Sequence, residues 1–83
     1  MERSLASNAH PRHIPVMLDV TLNGELRRFP APLTVSALLT ELSLDRRKVA
    51  VERNEEIVPR SLYGETALAA GDRLEIVHFI GGG

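Results

Sequence analysis

The chain has 83 residues, 43% of them hydrophobic, enough for one compact domain with a modest core and too few for a large internal active-site cavity. Ten Lys and Arg against eleven Asp and Glu leave a net charge of −1, which supplies no electrostatic reason to bind nucleic acid or an anionic membrane. Cysteine is absent, which excludes disulfides, thiolate metal sites and a side-chain persulfide, and no apolar run nears the roughly 20 residues that span a bilayer.

Residues 1–15 mix Ser, Asn, His, Arg and Pro without periodicity and are expected to form a disordered leader ahead of a domain over residues 16–80. His10 and His13 have a short metal-ligand spacing but no third ligand nearby, so they read as solvated side chains. Neither this leader nor the rest carries a secretory apolar segment, so a cytoplasmic location is expected.

From Val16 to Leu22 apolar Val16, Leu18, Val20 and Leu22 alternate with Met17, Asp19 and Thr21, the period of a half-buried strand. Asn23-Gly24 follows, the strongest short hairpin signal, because a type I′ turn needs positive φ at both central residues. A return strand over about Glu25–Phe29 ends at Pro30 and Pro32. Thr34 is placed as the N-cap of a helix whose apolar stripe is Val35, Leu38, Leu39 and Leu42, with Ser36, Thr40 and Glu41 toward water. The run Asp45-Arg46-Arg47-Lys48 is expected to close that helical region, with its cations at the negative end of the helix dipole.

Val49–Arg53 reads as a third strand, Asn54-Glu55 as a turn, and Glu56–Val58 as a short edge strand cut off by Pro59. Ser61–Ala70 is irregular, with one turn near Leu62 and Tyr63, and Gly71-Asp72 turns into the last strand, Leu74–Ile80. The fold class is therefore α+β, a roll with one helix packed on a mixed four- to five-stranded sheet. The crossover from the second strand to the third through the helix is expected to be right-handed.

In the last strand Leu74, Ile76 and Ile80 share one face, and Val77 and Phe79 the other. If the helix covers only the first face, Val77 and Phe79 are an exposed partner-binding pair; alternatively the segment Ser61–Ala70 folds over and buries them. Gly81, Gly82 and Gly83 follow and form the third unit, a flexible tail over 81–83. No Gly-rich phosphate loop, His-Glu-x-x-His or nucleophile elbow is present. His78, the one histidine inside the domain, reads as a surface or satisfied residue rather than a base. The remaining reactive group is the terminal carboxylate of Gly83. It is an anion at neutral pH with a reference pKa of about 3.5, and a poor electrophile until another protein activates it.

The Asn23-Gly24 hairpin, Thr34-Val35 with Leu38, Leu39 and Leu42, the segment Val51–Arg60 and the ending Gly71–Gly83 resemble the ubiquitin-like β-grasp sulfur carriers, most closely the ThiS branch that serves thiamine biosynthesis. The resemblance covers about residues 16–83, and the leader departs from it. It implies a β-grasp roll and a protein co-substrate rather than an enzyme. Gly83 would be adenylated by a ubiquitin-activating-like adenylyltransferase of the ThiF type, which uses ATP and magnesium while the carrier itself binds no cofactor. The adenylate would become a thiocarboxylate with sulfur from a donor protein and pass that sulfur to a thiazole synthase of the ThiG type. Gly81, Gly82, Val77 and Phe79 would meet these partners, with no metal, nucleic acid or membrane involved. Three other readings stay open: a small subunit of molybdopterin synthase, a ubiquitin-like protein modifier, and a non-catalytic β-grasp interaction module.

Overall fold

The computed structural model describes residues 16–79. The leader over 1–15, Ile80 and the glycine tail over 81–83 lie outside the described residues, and with them both outer domain boundaries.

Five strands and one α-helix follow in the order β1 (Met17–Leu22), β2 (Glu25–Pro30), α1 (Val35–Glu41), β3 (Val49–Arg53), β4 (Glu56–Val58) and β5 (Arg73–His78). They form one sheet in the order β2-β1-β5-β3-β4, so the first and last strands are central neighbours. β1 and β5 run parallel, and every other pair is antiparallel. Of the expected four to five strands, all five are present.

Both hairpins are made by residues held at positive φ. Asn23 and Gly24 have φ of 50° and 83°, as a type I′ turn requires. Asn54 and Glu55, at 52° and 72°, form a second turn of the same kind without a glycine. The return strand β2 extends one residue past Phe29 to Pro30, because β1 pairs Met17 with Pro30.

Leu18, Val20 and Leu22 from β1, Phe29 from β2, Val49 and Val51 from β3, Val58 from β4 and Leu74 from β5 line one face of the sheet. Val35, Leu38 and Leu39 of α1 cover it, with Leu42 partly buried at the edge. The stripe read from the helical spacing is the stripe that packs.

The Thr34 hydroxyl oxygen accepts from the Ala37 N–H at 3.1 Å, so the helix starts at the expected cap. Its C-terminus differs from expectation. Ser43, at φ 58°, closes a Schellman-type end in which the Ser43 N–H donates to Thr40 O and the Leu44 N–H to Leu39 O. Arg46–Lys48 is a separate 3₁₀ turn, capped by the Asp45 carboxylate, which accepts from the Arg47 N–H at 2.9 Å. The Arg47 side chain and its N–H hold the Asp45 carboxyl down to about 2. The cations therefore serve this turn and not the dipole of α1, which has no basic residue in its last turn.

Ser61–Ala70 begins inside a 3₁₀ turn at Arg60–Leu62, is otherwise irregular as read, and docks on the helix side. The first N–H groups of a helix have no partner within it. Here the Val35 N–H donates to Thr66 O and the Ser36 N–H to Tyr63 O, and Leu68 N–H returns the tie to Leu33 O. Tyr63, only 2% exposed, and Leu68 are thereby driven into the same core as the helix stripe. Among the described residues no helix is long and apolar enough to cross a membrane.

Candidate functional site

With the helix and the Ser61–Ala70 segment both on one side, the other face of the sheet is left open. β5 was read as apolar on both faces, and only one is covered: Leu74 is buried and Ile76 half-buried, whereas Val77 is 58% and Phe79 45% exposed. The covering alternative for this pair is thus overturned, because Tyr63 and Leu68 are spent on the other side of the sheet.

Strand pairing places the exposed pair firmly. Val77 lies opposite Ala50 of β3, and the Phe79 N–H donates to Lys48 O at 2.8 Å, continuing the ladder one residue past β5. Ile57 of β4, also exposed, lies on the same face, since it pairs with Glu52 and Glu52 with Glu75. Glu52 and Glu75 stand directly opposite each other, an arrangement that costs a sheet stability, and they border the apolar residues with negative charge. Farther across the face Asp19 takes a bidentate pair from Arg28 at 2.7 and 3.3 Å, and that hydrogen bond lowers its carboxyl from the ordinary value.

β5 receives an asparagine side chain from each hairpin turn, one at its start and one at its middle. At its start the Asn54 side-chain oxygen accepts from the Arg73 N–H at 2.9 Å, and its amide nitrogen donates to Asp72 at 3.0 Å. Asp72, 6% exposed, also accepts from Arg53 Nε and the Ala69 N–H, both at 2.8 Å. Burial pushes its carboxyl up, but the bonds from Ala69, Asn54 and Arg53 outweigh burial and leave it below the ordinary value. In the middle of the strand Asn23 reaches Ile76. Sequence reading treated both asparagines as turn formers only and missed these second roles. One clue was available: Asp or Gly would also suit the first turn position, so a choice of Asn invites the question of what the amide bonds.

Of the expected site residues, Val77 and Phe79 are brought together on the open face at the end of β5, whereas Gly81, Gly82 and Gly83 lie outside the described residues. Among the described residues no group of three His, Cys, Asp or Glu side chains is placed to hold a metal ion.

The sequence model of the ThiS family matches residues 20–83, more than half of the chain. The chain belongs to the ThiS family. In the solved structure of a thiamine biosynthesis protein (ThiS) from Geobacter metallireducens, 32% identical, the similar fold has a TM-score of 0.68 and takes in 80% of this chain and all of that one. The Bacillus subtilis sulfur carrier protein ThiS is 46% identical over 50 residues, 60% of this chain and 76% of that protein. A thiazole synthase of Paramagnetospirillum magneticum is 61% identical over 66 residues, 80% of this chain. One from Magnetococcus marinus is 46% identical over a stretch of the same length. The chain spans about a fifth of the length of these two synthases, for each match takes in 20% of the longer protein. The single helix on a five-stranded mixed sheet is the β-grasp fold of the ThiS family.

Proposed function

We propose that this chain is a sulfur carrier in thiamine biosynthesis, a protein co-substrate whose reactive group is the carboxylate of Gly83. The observation that carries this reading is the ThiS-family match, which continues through Gly81 and Gly82 to Gly83. The lack of any cysteine is consistent with it, because the sulfur then travels on the backbone end.

A carboxylate resists nucleophilic attack until one oxygen is turned into a leaving group. A ThiF-type adenylyltransferase supplies that change: a carboxylate oxygen of Gly83 attacks the α-phosphorus of ATP, held with magnesium, and pyrophosphate leaves. The terminal sulfur of a persulfide on a donor protein then displaces AMP to give an acyl disulfide, and a thiol attacks the donor's own sulfur, so that the S–S bond breaks, the thiocarboxylate leaves and a disulfide remains on the donor. Gly81 and Gly82, without side chains, let the end thread a narrow channel to the reacting atoms. Val77 and Phe79 are the apolar contacts on which the activating enzyme docks, a role supported by their exposure at the end of the last strand. The acceptor is a ThiG-type thiazole synthase. The stretches of two thiazole synthases that resemble this chain support that partner, since a carrier within the same polypeptide meets its acceptor at high effective concentration. The ATP-dependent activation is assigned to the cytoplasm.

Incubation with the adenylyltransferase, ATP, magnesium and a sulfur donor should raise the intact mass by the difference between one sulfur and one oxygen atom, confined to the C-terminal peptide. Omitting ATP should abolish the shift. A change that maps to an internal residue, or conjugates to lysine side chains in place of the thiocarboxylate, overturns the reading.

A further inference from the structure

Two glutamates interrupt the apolar residues of the open face. Glu52 of β3 pairs with Glu75 of β5 on one side and with Ile57 of β4 on the other, and Val77 follows Glu75 by two residues on the same face. β3 runs between β4 and β5, so half-buried Glu52 lies between Ile57 and Val77, 66% and 58% exposed. Two strand spacings separate those apolar residues by about 10 Å across the sheet.

Neither carboxylate is answered within the fold. Among the described residues no Lys, Arg or His nitrogen comes within 4.0 Å of Glu52 or Glu75. Arg73, two residues before Glu75, has its guanidinium 3.8 Å from Glu55, and Arg53, next to Glu52, bonds Asp72 on the opposite face. Like charges directly opposite destabilise a sheet, so the free chain holds this pair at a cost, and local rules are broken in that way mostly at functional sites. An open groove of about 350 Å³ adjoins the pair, with Thr21, Leu74 and Arg73 in its walls, room for one long side chain.

Covering the face dictates the chemistry of what covers it. A partner surface that buries both Ile57 and Val77 also covers Glu52, and a carboxylate taken out of water without a cation opposes binding more strongly than the apolar contacts favour it. A cation placed between those contacts removes the penalty and relieves the repulsion between Glu52 and Glu75. Cross-strand side chains of this kind start about 5 Å apart, close enough for one planar guanidinium, with its five N–H donors, to meet both carboxylates.

We infer that the open face is built for a protein surface whose apolar contacts to Ile57, Val77 and Phe79 surround an arginine or lysine, and that Glu52 and Glu75 hold that cation. The inference rests on the sulfur-carrier reading, which makes that surface part of the ThiF-type adenylyltransferase. An apolar surface without the cation is rejected, and an anionic one such as nucleic acid is repelled.

The test uses the full chain with Glu52→Gln and Glu75→Gln, singly and together. Glu56→Gln is the control: it removes the same charge from the opposite face, where Glu56 pairs with Arg53. Two quantities are read, the urea midpoint of the free carrier and its affinity for a ThiF-type adenylyltransferase by titration at low and high salt. The double variant should raise the midpoint, weaken binding by about 10-fold or more at low salt, and flatten the salt dependence shown by the unaltered chain. Glu56→Gln should keep affinity within about 2-fold. Unchanged affinity in the double variant, a loss as large in Glu56→Gln, or a lower midpoint, which would mean that the carboxylates are already bonded in the free chain, overturns the inference. A dimer of the unaltered chain in sedimentation that the double variant disperses makes the occupant a second copy and overturns it too. If the unaltered chain supports no ATP-dependent exchange by the adenylyltransferase, the sulfur-carrier reading itself falls and this inference with it, a result separable from a loss confined to the Glu52 and Glu75 variants.

Discussion

Asn54 and Asn23 open two hairpin turns of the same type and both reach β5, yet they anchor it in different surroundings. At the start of the strand Asn54 works with the buried carboxylate of Asp72, which gathers Arg53, Asn54 and the Ala69 N–H around one side chain. At mid-strand Asn23 works alone, at the surface, on the backbone of Ile76. A buried network that is fully satisfied stabilises because every partner would be orphaned by its loss, whereas a surface hydrogen bond competes with water at each instant. The entry to β5 is thus held by a buried hub, and its middle by one surface side chain.

Removing the hub should produce the largest effect. Asp72→Ala leaves the Ala69 N–H and the Asn54 amide without their acceptor and should cost about 2 to 3 kcal/mol in chemical denaturation. A loss under about 1 kcal/mol would mean that water replaces the carboxylate and that the two anchoring sites do not differ as described. The same carboxylate has a pH signature. Its folded-state pKa lies below the ordinary 3.8. Its contribution is therefore fully present above that unfolded value and is lost as pH falls through 3.8 toward the folded value. Denaturation midpoints followed downward from about pH 5 should show a decline that is shallower in Asp72→Asn.

Cutting either asparagine back to glycine keeps positive φ accessible and isolates the side-chain bonds. Asn54→Gly should cost about 1 to 2 kcal/mol and Asn23→Gly about 0.5 to 1, because only the first leaves a buried oxygen of Asp72 without its donor. Equal losses would remove the contrast.

The smallest effect should carry the opposite sign. Glu55 holds φ at 72° in the turn that Asn54 opens, the position where the other turn has Gly24. Glu55→Gly should relieve left-handed backbone strain and raise stability by up to about 1 kcal/mol, read as a higher denaturation midpoint at unchanged slope. The exposed 3.8 Å pair between Glu55 and Arg73 is too weak to offset that gain. A lower midpoint would show that Glu55 supports the entry to β5 by more than its backbone conformation.

Much of this architecture is written locally. Alternation of Leu18, Val20 and Leu22, the pair Asn23-Gly24, the Thr34 cap with Val35, Leu38 and Leu39, and the Pro59 stop each act within a few residues, and each element stands where those signals put it. Local rules misjudged Arg46–Lys48, because a left-handed Ser43 ends the helix early and gives the cations to a turn of their own. Nothing among those residues announces that stop, since serine adopts positive φ less readily than glycine.

The sequence by itself determined which residues of β5 share a face, because side-chain alternation in a strand is a property of the backbone. It could not determine which face is covered. That was decided when the Val35 and Ser36 N–H groups drew the Thr66 and Tyr63 carbonyls to the helix side, carrying Tyr63 and Leu68 into the core and leaving Val77 and Phe79 exposed. Nor could it show that the Asn23 amide meets Ile76, 53 positions along the chain, since that contact follows from β1 ending one rung before its parallel neighbour needs a partner. Periodicity and turn chemistry are short-ranged; coverage of a face and completion of an edge depend on which distant segments arrive there.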